Sequence, residues 1–333
     1  MDAIEWLPNL WRKLFQRPEP RRAPPRAPKD ETTQDHPLLP SICLPVGRYE
    51  LKVGVVSTTG NVREHNEDNF YVPGHPSLRR NRSEGSTWGL SETGPVPPGG
   101  RGPADGNGGR RDEGVPGLFM VADGMGGQLA GEKASEMAVE IVPDELRKRL
   151  SDDDDEKALK RAIRDAVAEA NKEILAQSHL VTEFDKMGTT IVLALFRGDR
   201  AFIAGLGDSR AYRLRDGRLE RLTTDHSLAD ALVGAGTIRA EEAENHKFRH
   251  VLYLYLGCKE ARDGPEEIRA VDVRHGDRFL LASDGLTGVV RDNVIAEVLQ
   301  ACDDPQRAAQ ALTNRALENR SRDNITCVVI QVV

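Results

Sequence analysis

Two apolar runs, Leu118–Ala122 and Phe279–Ser283, each stop at an Asp-Gly pair, Asp123-Gly124 and Asp284-Gly285. Short apolar runs closed by a turn signal read as buried strands. A buried strand that ends in Asp-Gly sets a carboxylate at the edge of its sheet, and glycine lets the backbone turn there or approach a ligand closely. Two further acidic pairs stand where strands begin: Glu67-Asp68 before Asn69–Val72, and Asp323-Asn324 before Ile325–Val333. In antiparallel sheets the end of one strand lies beside the start of the next, so all four groups are expected at one rim. Any single Asp-Gly is explained by a turn alone, but four such placements together are not. Carboxylates gathered without lysine partners repel one another unless a cation or protons offset the charge. With no His or Cys within the four acidic groups themselves, oxygen-only ligation favours Mg²⁺ or Mn²⁺ over Zn²⁺.

The rest of the chain supplies the sheets that such a rim needs. Further β-branched runs fall at Leu51–Thr58, Thr189–Phe196, Ala201–Leu206, Arg210–Leu214 and Arg278–Ala282, punctuated by Gly198-Asp199, Asp216-Gly217 and Gly276-Asp277. Helical spacing governs 130–149 and 156–178, where Ala162, Ile163, Val167, Ala170, Ile174 and Leu175 recur at threes and fours, and a second pair follows at 292–301 and 305–319. Strands grouped with strands, and helices in pairs between the groups, predict an α+β fold of antiparallel sheets flanked by helices rather than a βαβ repeat. The aspartates 152–155 stand where the second helix starts, and the expectation is a cap that complements the helix dipole.

Two segments read differently. Residues 17–40 are crowded with Pro and Arg, as in a polyproline-like tether, and 73–116 carry Gly, Pro, Arg and Ser with hardly an apolar pair. The expected organisation is an N-terminal segment and tether over 1–47 and a catalytic domain over 48–333, with 73–116 as an exposed insertion. Within 4–15, Trp6, Leu7, Leu10, Trp11, Leu14 and Phe15 stand beside Arg12 and Lys13. Such a patch can dock on a protein, lie at a membrane surface or fold back on the domain. The 333-residue chain carries a formal charge of -7, which argues against generic nucleic-acid binding. Its four cysteines form no CxxC pair and read as free thiols. No run approaches the roughly 18 apolar residues of a membrane span, and a cytoplasmic location is expected.

Over residues 50–333, apart from the 73–116 insertion, the chain resembles the metal-dependent (PPM, type 2C) protein phosphatases in their bacterial form. The resemblance rests on an ordered series: Gly60-Asn61-Val62-Arg63-Glu64-His65-Asn66-Glu67-Asp68, Val121-Ala122-Asp123-Gly124-Met125-Gly126-Gly127, Met187-Gly188-Thr189-Thr190, Gly207-Asp208-Ser209-Arg210-Ala211-Tyr212, Leu222-Thr223-Thr224-Asp225-His226-Ser227, Ala282-Ser283-Asp284-Gly285-Leu286 and Arg322-Asp323-Asn324-Ile325-Thr326. A lone DGxGG is weak evidence; seven blocks in order are specific. The resemblance implies a four-layer αββα sandwich of two antiparallel sheets flanked by helix pairs, with a binuclear centre of Mn²⁺ or Mg²⁺ in a cleft at the rim. Carried over by position, Asp123 bridges the metals, the Gly124 carbonyl ligates one, and Asp284 and Asp323 hold one. Glu67 reaches the centre directly or through water. Asp68 accepts hydrogen bonds from metal-bound waters, and Asp185 serves a third, weaker metal.

The implied reaction is hydrolysis of phosphoserine and phosphothreonine by a water activated between two ions, with no phospho-enzyme. Arg63 would clamp the phosphate with its planar fork. The natural substrates would be proteins phosphorylated by a Ser/Thr kinase. Met125 stands where many eukaryotic members carry a His, so the leaving alkoxide needs another proton donor, for which a metal-bound water is expected. His65 is taken as a surface histidine, Asp208-Ser209-Arg210 as a turn-supporting network, and 226–260 as a flap beside the active site. A catalytically dead scaffold is opposed by intact Asp123, Asp284, Asp323 and Arg63. A small-phosphoester hydrolase has no P-loop or stacked-aromatic signal behind it.

Overall fold

This computed structural model of the protein describes residues 41–73, 114–180, 184, 187–243 and 245–333. Asp185, the 4–15 segment, the tether and nearly all of the 73–116 insertion lie outside the described residues. In chain order the strands are β1 (Ile42–Val46), β2 (Tyr49–Thr58), β3 (Asp68–Tyr71), β4 (Leu118–Met125), β5 (Gly188–Thr189) and β6 (Ile191–Arg197). They continue as β7 (Arg200–Leu206), β8 (Arg210–Arg215), β9 (Arg218–Arg221), β10 (Ile268–Asp272), β11 (Arg278–Ala282) and β12 (Ile325–Val332). The helices are α1 (Gln128–Arg149), α2 (Glu156–Leu180), α3 (Leu228–Gly234), α4 (Ala240–Ala243), α5 (Asp284–Thr287), α6 (Asp292–Ala301) and α7 (Pro305–Glu318).

One sheet runs β1-β2-β12-β11-β8-β9 and the other β10-β7-β6-β4-β3, with β5 paired to β4; every pairing is antiparallel. Strand alternation sorts the side chains into three cores. Phe119 and Val121 of β4, Val192, Ala194 and Phe196 of β6, and Val328 and Ile330 of β12 point between the sheets. Leu118, Met120 and Ala122 point the other way, onto Ala134, Val142, Ile163 and Val167 of α1 and α2. On the far side, Ile325, Cys327 and Val329 meet Leu299 of α6 and Leu312 of α7. Buried on both faces, these central strands read as continuous apolar runs, and the result is the expected αββα layering.

At the centre, Phe196 packs edge-on to Phe119 and Phe279, with centroids 5.7 and 5.1 Å away. Asp155 accepts a 2.7 Å hydrogen bond from the Ala158 amide, so part of the aspartate run caps α2 as expected. Three strands fall outside the runs read from the sequence. β1 adds an edge to the first sheet by pairing Ile42–Val46 with Val53–Tyr49, β9 closes a hairpin on β8, and β10 edges the second sheet on β7.

Candidate metal centre

The acids at the strand ends meet at one rim of the two sheets. Asp68 and Asp123 are register partners across β3 and β4, so two carboxylates start from directly opposed positions at one end of the second sheet. The first sheet brings its own acids to the same place: β11 ends at Ala282, opposite Cys327 of β12, two residues before Asp284 and four after Asp323. Ser283 joins the two groups. Its hydroxyl donates to Asp68 Oδ2 at 2.8 Å and accepts from the Thr326 amide at 3.0 Å.

Glycines make this convergence possible. A Cβ on Gly124 would lie 2.2 Å from the Gly131 carbonyl oxygen and 2.6 Å from that of Glu67, and one on Gly285 would lie 1.8 Å from the Asn324 oxygen. No larger residue fits either Asp-Gly step. Asn324 then pins the loop that carries Arg63 and Glu67. Its side chain accepts from the Glu67 amide at 2.9 Å and donates to the carbonyls of His65 at 2.9 Å and Thr59 at 3.3 Å. Arg63 lies 2.9 Å from the Asp323 carboxylate and 3.9 Å from Glu67 Oε1. Asp123 is fixed through its backbone: its amide donates to Thr190 Oγ1 at 3.0 Å, and its carbonyl accepts from the Thr190 amide at 2.8 Å.

The electrostatics match a site built around positive charge. Burial pushes the Asp68 carboxyl up to about 7, with Asp284 and Asp323 adding repulsion, even though Ser283 and Thr326 hydrogen bonds pull the other way. Asp123 is held well above the usual carboxylate range by burial and by Asp68 and Asp284. Burial also raises Glu67, against the pull of Arg63. Asp68 is only 4% exposed, and its Oδ1 has no hydrogen-bond partner. A buried carboxylate oxygen left unpaired inside a cluster of acids is costly. An all-oxygen donor set of this kind fits divalent Mg²⁺ or Mn²⁺ or their bound waters, so the residues present suit the implied metals.

Two residues belong to the rim that the sequence reading placed elsewhere. Asp208, at the β7–β8 turn, comes up beside Asp284 rather than serving only its own hairpin, and burial with that neighbour raises its carboxyl well above the usual range. The Ser209-Arg210 half of the trio does support the turn: Ser209 Oγ lies 2.7 Å from Thr190 Oγ1, and Arg210 grips Asp225 with Nε and Nη2 at 3.0 and 2.7 Å. His250, in the flap, has Nδ1 3.6 Å from Asp284 Oδ2. A glycine-bounded turn gave Asp208 no strand-end signature, and nothing local marks His250 among the flap's His, Lys and Arg residues.

Comparison with known proteins decides the family. The protein phosphatase 2C family matches residues 105–319. This chain belongs to that family. Arg63, Glu67, Asp68 and Asp323 lie outside the matched span; strand register sets Asp68 against Asp123, Asp284 and Asp323 are close enough to raise the Asp68 carboxyl, and Arg63 joins Asp323 and Glu67 through its guanidinium. The chain is 37% identical over 216 residues to the serine/threonine protein phosphatase PstP of Mycobacterium tuberculosis, covering 65% of this chain but 40% of that one. To the serine/threonine phosphatase Stp of Listeria monocytogenes it is 36% identical over 219 residues, covering 64% of this chain and 84% of its relative. A crystal structure of the PstP catalytic domain in complex with two manganese ions aligns with a TM-score of 0.62 at 31% identity, covering 85% of this chain and 98% of that one. As in that phosphatase 2C fold, two antiparallel sheets are flanked by helices. No described helix is long and apolar enough to cross a membrane.

Proposed function

We propose that the protein hydrolyses phosphoserine and phosphothreonine in proteins, using a water activated at a two-metal carboxylate centre. The observation that carries this reading is the meeting of Glu67, Asp68, Asp123, Asp284 and Asp323 with a single arginine, Arg63, at one rim. Asp123 would bridge the ions with the Gly124 carbonyl beside it, Asp284 and Asp323 would hold one of them, and Glu67 would contribute directly or through water. When bound, two divalent ions supply Lewis acidity that lowers the pKa of a water and offsets charge on the phosphoryl group.

The chain's own residues do the rest. Arg63 offers a planar fork to the phosphate oxygens and is half-exposed, so a substrate can reach it. Asp68, buried and with one free oxygen, would accept a proton or a hydrogen bond from water at the centre. Asp185 would serve a third, weaker ion. Substrates would be proteins phosphorylated by a Ser/Thr kinase in the cytoplasm, a location supported by four free cysteines. Residues 4–15 would provide a docking patch for a protein or a membrane surface. The decisive measurement is phosphopeptide hydrolysis with Mn²⁺, with Mg²⁺ and after chelation. Activity should vanish on chelation and return with Mn²⁺, and full turnover in the exhaustively chelated protein would sink the proposal.

A further inference from the structure

Two strips of exposed cations are tied to the same step of the rim, Asp284-Gly285. The flap brings Lys247 and Arg249, and the approach to β12 brings Arg320 and Arg322. Among the described residues none of these four is paired with a carboxylate. We infer that they form a cationic collar around the phosphate site, which selects substrates whose phosphoserine or phosphothreonine is flanked by acidic residues. The inference rests on the phosphatase reading and adds to it a class of substrate.

The two strips share an anchor. On the flap side, His250 Nδ1 lies 3.6 Å from Asp284 Oδ2. Two turns hold the residues around it: the Arg249 amide donates to the His246 carbonyl and the Val251 amide to that of Phe248, both at 3.1 Å. The stretch is fastened from behind, where the Leu228 amide donates to the Val251 carbonyl at 2.7 Å. On the sheet side, Ser321 stands between the two arginines, is buried, and donates through its hydroxyl to the Gly285 carbonyl at 2.8 Å. Next after Arg322 comes Asp323, the partner of Arg63. Strips far apart in the chain therefore meet beside the arginine offered to the phosphate.

Charge points to the ligand. Glu242 and Glu318, acids close to the strips in sequence, are taken by Arg239 and Arg315. Lys247 lies over the ring of Phe248, 4.7 Å from its centroid, a contact that leaves the ammonium without a counter-charge. Two divalent ions and Arg63 offset the charge of Glu67, Asp68, Asp123, Asp284 and Asp323, so the collar is left free for a ligand. A chain of net charge -7 repels an acidic substrate at long range. Recognising one needs a local excess of cations, and that excess stands at the mouth of the site. A single exposed ion pair contributes little; the collar acts through several at once, and salt screens it.

The test uses the full-length Mn²⁺-loaded protein and two phosphothreonine peptides that differ only beside the phosphoresidue, with glutamate on both sides in one and glutamine in the other. We expect kcat/KM for the glutamate peptide to be about tenfold higher at low salt. The two should approach parity near about 1 M salt, where the screening length falls to about 3 Å. Lys247→Gln/Arg249→Gln and Arg320→Gln/Arg322→Gln should each lower the ratio by about threefold, through KM. Lys247→Glu/Arg249→Glu should turn the preference toward a lysine-flanked peptide, which a merely structural role for the flap would not do. The wild-type comparison needs no variant to fold. Equal kcat/KM for the two peptides in wild type at low salt, or a preference that survives both pairs of substitutions, would overturn the inference. Turnover of both peptides without preference sinks the collar alone, whereas no turnover of either with Mn²⁺ sinks the phosphatase reading and the collar with it.

Discussion

Arg63 lies between two acids, with one guanidinium nitrogen 2.9 Å from the Asp323 carboxylate and the other 3.9 Å from Glu67 Oε1. The same fork that pairs with Asp323 is the group offered to a phosphate, so an arriving phosphoryl group competes with a ligand carboxylate for it. Hydrogen bonds to charged groups contribute about 1.5–3 kcal/mol. Arg63→Ala should therefore raise KM for a phosphopeptide by about 10- to 100-fold and lower kcat less. Arg63→Lys should recover only part of the loss, because a point charge lacks the bidentate geometry. Steady-state kinetics on both variants checks this, and wild-type constants in Arg63→Ala would remove the residue from phosphate binding.

Asp123 should trade stability against activity. Asp123→Asn should lower kcat by about 10³ or more, some 4 kcal/mol of transition-state stabilisation. In the chelated protein the sign of its effect on stability is the opposite. Asp68, pushed up to about 7, and Asp123, held well above the usual carboxylate range by burial and its acidic neighbours, keep protons in the folded state that the unfolded chain releases near pH 4. Between those values the folded state binds more protons, so metal-free stability falls as pH rises from about 4 through 7. Removing one member of the pair should flatten that slope. Thermal unfolding of chelated wild type and Asp123→Asn from pH 5 to pH 8 measures it. A wild-type Tm that rises across that range would show that the crowding is relieved by something other than protons or metal.

A third expectation concerns the hairpin behind the rim. Asp225 is buried, and Arg210 and Arg221 both close on it. Arg210 Nε and Nη2 reach the same carboxylate, and Ser209 next to it joins Thr190, whose hydroxyl accepts from the Asp123 amide. Asp225→Ala leaves two guanidinium groups without their partner and should cost about 3–5 kcal/mol. Chemical denaturation checks the magnitude. A loss under about 1 kcal/mol, in the range of an exposed ion pair, would mean the network does not support the turn.

The parts of this architecture legible in the sequence are those where burial writes a strong pattern. β4, β6, β11 and β12 are buried on both faces, so each reads as an unbroken apolar run, and the acids at their ends stand out against it. α1, α2, α6 and α7 each bury one face, and the spacing of their apolar residues gives them away. β9 and β10 are four- and five-residue edge strands, Arg218-Leu219-Glu220-Arg221 and Ile268-Arg269-Ala270-Val271-Asp272, whose charges suit an exposed edge and hide the strand. β1 carries Pro45, which fits an edge and reads as a loop. Asp208 and His250 reach the rim through long-range packing of a turn and a flap, and no local periodicity encodes that.

The last prediction separates the N-terminal segment from the domain by two truncations. The sequence boundary at 47/48 falls after β1, yet Ile42–Val46 pairs in register with β2 and Val46 is buried in the core with Phe119 and Phe196. Ser41 is also engaged, its hydroxyl donating to Asp304 Oδ2 at 2.7 Å where Asp304 caps α7. Deleting residues 1–40 spares all of this and removes none of the acids at the rim. Phosphopeptide kcat/KM should then stay within about twofold of wild type and Tm should hold, as for a surface change away from the site. Deleting residues 1–47 also strips the edge strand. Losing the Val46 side chain alone should cost about 1.5–3 kcal/mol, and with the ladder gone Tm should fall by about 5 °C or more. Parallel kinetics and thermal unfolding on the two truncations check both halves. If deleting 1–40 lowered Tm as far as deleting 1–47, the segment before β1 would be part of the packed domain, and its role as a separate docking patch would be lost.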